Sequence, residues 1–211
     1  MAIVAKASGN TDFEPIPEGV HVAVAYGVID EGLQYSEKFN TSSRKVRILF
    51  EIPSETYINK DSEEVPRTTS KDYTLSLNPK ATLRKDLESW RGKKFTPEEE
   101  EGFDIKNIIN KGCQIQIIHE GDKKYAKIAA IMGLPKGVKA PTPVSGNIYF
   151  DLSSGDSVDF YDNLMSTLPE FMQEMIKKSE TYLEIKNNTE SIGEPCKNED
   201  EEMVGEDGIP F

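Results

Sequence analysis

The sequence predicts an all-β barrel with one inserted helix and a separate C-terminal appendage. Two observations predict the barrel. Five segments within the first 140 residues alternate apolar and polar side chains with the period of a strand, and one helical pattern falls between the third and the fourth. A third observation sets the appendage apart: the Pro/Gly stretch at residues 133–143 cannot continue a strand or a helix, and the composition changes beyond it.

Val20, Val22, Val24, Tyr26 and Val28 put five apolar side chains on one face of the first strand. Val46, Ile48, Phe50 and Ile52 repeat the pattern in the second, with Lys45, Arg47 and Glu51 facing the other way. Tyr73, Leu75 and Leu77 mark a third strand, Cys113, Ile115 and Ile117 a fourth, and residues 125–131 a fifth. Gly121-Asp122 suits a tight hairpin between the last two. The helix has Asn78 as its expected N-cap, Pro79 in its first turn and Gly92 as its stop, with Leu83, Leu87 and Trp90 on one face. The order β-β-β-α-β-β is that of the five-stranded Greek-key OB barrel, whose helix lies between strands 3 and 4.

Residues 1–139 form the expected OB domain and 140–159 a linker. Residues 160–185 carry Leu164, Leu168, Phe171, Met172, Met175 and Ile176 at helical spacing, with Pro169 as the start of the stronger helix. Residues 186–211 have almost nothing to bury and read as a disordered acidic tail. The charge follows this division. Of 25 basic and 37 acidic residues, 21 of each lie in residues 1–139, and 4 and 16 in residues 140–211. The whole net charge of −12 therefore belongs to the appendage, and the acidic balance says nothing against a nucleic-acid surface on the barrel.

Two cysteines, Cys113 and Cys196, stand in regions of opposite character, which excludes a disulfide framework and fits a reducing cytoplasm. No apolar run approaches the roughly 20 residues of a membrane span, and the first residues lack a signal-peptide pattern. His21 and His119 each sit inside a strand pattern without a partner motif. No nucleophile elbow, zinc spacing or phosphate loop occurs. The acidic runs at 98–101 and 199–202 read as solvated segments. A non-enzymatic protein with no metal or cofactor is expected.

Basic and aromatic residues interleave through the front domain. Single-stranded nucleic acid requires that mixture, with cations following the phosphates and flat rings stacking on unpaired bases. An OB barrel presents such groups on its second and third strands and the adjoining loops. The candidates for phosphate contact are Lys38, Arg44, Lys45, Arg47, Arg67 and Lys71, and those for stacking are Tyr35, Phe39, Tyr57 and Tyr73. Trp90 aligns with Leu83 and Leu87 and reads as a residue sealing the barrel end.

The chain ends Glu206-Asp207-Gly208-Ile209-Pro210-Phe211, an acidic segment followed by apolar anchors, which suits a docking peptide. Asp207, Ile209, Pro210 and Phe211 are its candidate contact residues. This tip resembles the acidic tip of bacterial single-stranded DNA-binding proteins, which ends Asp-Ile-Pro-Phe, and departs from it by the inserted Gly208. Residues 17–137 separately resemble phage-encoded single-stranded DNA-binding proteins of the OB type. That likeness is carried by residues 46–51, Tyr73-Thr74-Leu75-Ser76-Leu77, residues 83–93 and Leu134-Pro135-Lys136-Gly137. It implies a protein that coats single-stranded DNA without sequence specificity and brings replication, recombination or repair enzymes to the coated strand. It also implies a cytoplasmic location, the host cytoplasm for a phage-encoded chain. An RNA-binding OB module and a protein-interaction adaptor stand as alternatives, and both monomer and homodimer fit.

Overall fold

The computed structural model describes residues 14–121, 125–152 and 155–192. Its frame is a six-stranded, mostly antiparallel sheet of β1 (Gly19–Ser36), β2 (Thr41–Ile58), β3 (Glu64–Thr74), β4 (Gly112–Glu120), β5 (Tyr125–Met132) and β6 (Ile148–Phe150). The path runs β3-β2-β1-β4-β5, and β6 adds parallel to β1 at residues 27–29. The sheet is open: no ladder joins β3 to β5 among the described residues. Helix α1 (Thr82–Arg91) packs against both of those strands.

Alternation sets most of the inner face. Val46, Ile48, Phe50 and Ile52 of β2 and Cys113, Ile115 and Ile117 of β4 enter one buried cluster. Leu83, Leu87 and Trp90 cap it from α1, with the Trp90 ring centroid 5.7 Å from that of Phe50. The helical part between β3 and β4 differs from the expectation. Asn78 and Pro79 precede α1 in a turn, in which Asn78 Oδ1 accepts from the Lys80 amide, and the cap of α1 is Ala81. A second short helix, α2 (Pro97–Glu101), and a 3-10 turn (Ile105–Ile108) follow before β4.

Strand β1 departs from simple alternation. Val20, expected inside, is 53% exposed, while Ala23, Ala25 and Val28 enter the inner cluster. Register shifts between Ala25 and Gly27, and between Asp30 and Gly32, reset which side chains face inward. Gly32 takes a φ of 73°, and a Cβ there would stand 2.6 Å from Ser179 Oγ, so the second irregularity requires glycine. Strand β3 ends at Thr74, which leaves Leu75 and Leu77 beyond it.

A second buried cluster covers the outer face of the sheet. Tyr26 and Ile29 of β1 and Leu49 of β2 meet three helices, α3 (Val158–Met165), α4 (Glu170–Lys177) and α5 (Glu180–Ile192). Tyr161, Met165, Met172, Ile176 and Tyr182 are the helical contributions. The stretch expected as a linker thus contains β6, the expected helical segment is three helices, and α5 continues past residue 186 to Ile192. As expected, α4 begins at Pro169, which is its N-cap. The segment leading into β6 is tied down by Glu51, whose fully buried carboxylate accepts from the Val144 and Ser145 amides at 2.9 and 2.8 Å.

Candidate nucleic-acid interface

The β1–β2 turn carries the most exposed part of the expected set. Asn40 takes a left-handed φ of 49°, a conformation asparagine tolerates. Its Oδ1 accepts from Tyr35 Oη at 2.6 Å. Tyr35 and Phe39 stand 55% and 69% exposed, and Lys38 Nζ lies 5.4 Å from the Phe39 ring centroid in a cation–π arrangement. Helix α5 braces the hairpin: Ser42 Oγ donates to Glu180 Oε1 at 2.6 Å, and the Leu33 amide donates to Thr181 Oγ1 at 3.0 Å.

Lys45 follows on β2, opposite Thr74, to whose Oγ1 its Nζ donates at 2.7 Å. It borders a polar cleft of about 540 Å³ that Thr74, Ser76, Asn78, Lys80 and Thr82 also line. Two ammonium groups, three hydroxyls and an amide there are the donors a phosphodiester accepts from, and the Asp72 carboxylate that also lines the cleft is held by Arg47. Ser76, Asn78 and Lys80 lie outside the set of contact residues expected from the sequence. The Asn78-Pro79 turn, read as a helix start, was the available signal.

Other candidates are engaged within the protein. Arg47 is buried, with Nε 2.9 Å from Glu31 Oε1 and 2.6 Å from Asp72 Oδ1, under the Phe171 ring of α4. Burial raises the Glu31 carboxyl to about 7 against the opposing pull of Arg47. Arg44 holds Asp30 through Nε and Nη2, and this bond raises the guanidinium's already high pKa. Lys71 Nζ and Tyr73 Oη both donate to Asp86 Oδ2 of α1, at 2.7 and 2.8 Å. Tyr73 is a core residue, and burial followed by the Asp86 charge pushes its phenol pKa upward. Arg47, Lys71 and Tyr73 are largely buried, while Arg44, 35% exposed, is engaged by Asp30 of the neighbouring strand.

Tyr57 and Arg67 form a second aromatic–cation pair, with the guanidinium 5.7 Å from the ring centroid. They lie at the far end of 18-residue β2 from Phe39, roughly 55 Å along an extended strand. Lys38, Tyr35, Phe39 and Lys45 therefore share one end of the sheet, and Tyr57 and Arg67 mark the other. Lys123 and Lys124 of the β4–β5 turn lie outside the described residues, as do Asp207, Ile209, Pro210 and Phe211.

His21 Nε2 is 2.8 Å from the Pro17 carbonyl and His119 Nε2 is 2.7 Å from that of Ile16, so both rings meet the segment preceding β1. Burial raises the Cys113 thiol to about 12, which leaves it protonated at neutral pH. Among the described residues no cluster of His, Cys, Asp or Glu could hold a metal ion, and no helix is long and apolar enough to cross a membrane. No protein-family model matches the chain, and no curated protein matches its sequence.

Proposed function

We propose that this chain is a non-enzymatic single-stranded DNA-binding protein of phage-type replication and recombination. In this reading the sheet is an OB-type barrel left open between β3 and β5. Its strand order β3-β2-β1-β4-β5 and the helix packed across the gap support that reading. The observation that carries the function is the end of the sheet bearing Tyr35, Lys38, Phe39 and Lys45, which joins exposed rings to a polar cleft containing Lys80. Bases stack on the rings while the backbone follows the lysines, so binding tolerates any sequence and weakens steeply with salt. Tyr57 and Arg67 extend the track at the other end of β2. Asp207, Ile209, Pro210 and Phe211 recruit replication, recombination or repair proteins to the coated strand.

Fluorescence anisotropy of labelled oligo(dT), titrated at low and then rising salt, tests the binding reading. Absence of binding at low salt overturns it, and tighter binding of oligo(U) than of oligo(dT) redirects it to RNA. A pull-down from replication extract with wild type and Phe211→Ala tests the tip. Loss of partners with oligo(dT) binding intact is the expected result.

A further inference from the structure

Two carboxylates share one guanidinium beside the polar cleft. Arg47 Nε lies at contact distance from both Glu31 Oε1 and Asp72 Oδ1, at 2.9 and 2.6 Å. Asp72 Oδ2 also accepts from Arg47 Nη2 at 2.8 Å, whereas Glu31 Oε1 is buried and meets no aligned donor among the described residues. Asp72 is therefore the better-held anion, and Glu31 is the member of the pair that a proton neutralises. Their exposures differ as well: the Glu31 side chain is 4% exposed, while that of Asp72 is 53% exposed and lines the cleft with Lys45 and Lys80. The charged groups acting on Glu31 are Arg47 and Lys45 of β2 and Asp72 of β3. Helix α4 covers the guanidinium with the uncharged Phe171 ring and Met175 Sδ, and Glu180 of α5 is turned to Ser42.

We infer that binding of a nucleic-acid phosphate in the Lys45–Lys80 cleft is coupled to uptake of a proton by the Glu31–Asp72 pair, so that the strand is held more tightly as pH falls through neutrality. With both carboxylates ionised, the group of Glu31, Asp72 and Arg47 carries one net negative charge, and a proton on Glu31 removes it. A phosphate entering beside Asp72 adds negative charge and neutralises Lys45, one of the cations that keeps Glu31 ionised. Both effects favour the protonated pair, which takes its proton from solvent onto a Glu31 oxygen. In the free chain burial already brings the Glu31 carboxyl to about 7, so the exchange falls in the neutral range. One phosphate charge at roughly 10 Å in a partly desolvated site raises that value by about half to one pK unit, which makes binding roughly three- to tenfold tighter. The proton is held more strongly in the complex than in the free chain. Affinity therefore rises as pH falls toward about 7 and levels off below it. The inference rests on the DNA reading of the cleft.

Anisotropy titrations with oligo(dT) carrying hydroxyl ends, at one low salt concentration and from about pH 6 to about pH 9, test the coupling on the full chain. Calorimetry at about pH 7.5 in two buffers of different ionisation enthalpy counts the protons taken up. Wild type should bind roughly three- to tenfold more tightly at the acid end of the range, with net proton uptake. Glu31→Gln should lose both the uptake and the step in affinity. His21 and His119 meet the Pro17 and Ile16 carbonyls and remain in that variant, so its difference from wild type isolates the pair. Asp72→Asn removes the like charge and should move the step to lower pH, which keeps the test open if Glu31→Gln folds poorly. Equal pH dependence in wild type and Glu31→Gln overturns the coupling, as does binding by wild type without proton uptake; in both cases the DNA reading stands. Absence of oligo(dT) binding at every pH overturns the DNA reading and the coupling with it.

Discussion

Arg47 Nε lies 2.9 Å from Glu31 Oε1, and both side chains are almost sealed from solvent. Asp72 joins them from β3, while Phe171 and Met175 of α4 cover the guanidinium. The group thus ties three neighbouring strands to the helical layer. A cation held this way has its charge compensated from inside the protein. Removing it strands Glu31 in a buried site, which typically costs 3–5 kcal/mol. Arg47→Ala should therefore lower stability by about that amount in denaturant titration. Oligo(dT) affinity of the folded fraction should fall less than in Lys45→Ala, and the reverse ranking would return Arg47 to the binding surface.

Glu31 also gives the fold a pH dependence of known sign. Its carboxyl titrates near 7 in the folded chain, chiefly because it is buried, and near the ordinary glutamate value when unfolded. Between those values the folded state binds the extra proton, so stability falls as pH rises from about 4.5 to about 7. Glu31→Gln removes the titration. Its stability relative to wild type should rise by up to about 3 kcal/mol across that window and level off above it. A flat difference from pH 4.5 to 8 would falsify the shift.

The exposed end of the sheet makes a separable prediction. Lys38, Lys45 and Lys80 pair with no carboxylate among the described residues, so replacing one by alanine should leave the melting temperature unchanged. Each change should weaken oligo(dT) binding for all sequences and reduce the salt slope by about 1. Phe39→Ala should cost roughly 1–3 kcal/mol of binding with the slope unchanged, because a ring stacks and carries no charge. Tyr73→Phe should do the opposite, losing stability through Asp86 and keeping DNA affinity.

The strands β4 and β5 are legible because each has one buried face and so keeps the two-residue period. Strand β2, buried on both faces over residues 46–52, is legible because Lys45, Arg47 and Glu51 keep most of its second face polar. Strand β1 was misread because residues 24–31 are buried on both faces, and its two register shifts break the period. The near-continuous run Val22-Ala23-Val24-Ala25-Tyr26-Gly27-Val28-Ile29 was the signal of a doubly covered strand. What covers it, residues 144–185, could not be matched to it by local pattern. The exposed rings Tyr35, Phe39 and Tyr57 were found from composition alone. The internal pairing of Arg44, Arg47 and Lys71 is not legible in the sequence because their partners Asp30, Glu31 and Asp86 lie 14 to 16 residues away, beyond any local spacing rule.

The last prediction concerns the seam between the sheet and the helical layer. Glu51 is fully buried, and its two carboxylate oxygens separately accept the Val144 and Ser145 amides just before β6. Glu51→Gln preserves the shape but turns one acceptor into a donor facing a backbone N–H. One amide is then unsatisfied, at a cost of roughly 1–3 kcal/mol. The loss should be local first, because residues 144–150 reach the sheet through this carboxylate and the short β6 ladder. Hydrogen exchange at residues 144–150 should accelerate in Glu51→Gln, followed by α3, α4 and α5, which are packed on the sheet beyond that ladder. Amides of β4 and β5 should keep their wild-type protection, since the inner cluster that holds them does not include the helical layer. Uniform acceleration across both layers would show that the molecule opens as one unit and that Glu51 is not the catch of a separable outer layer.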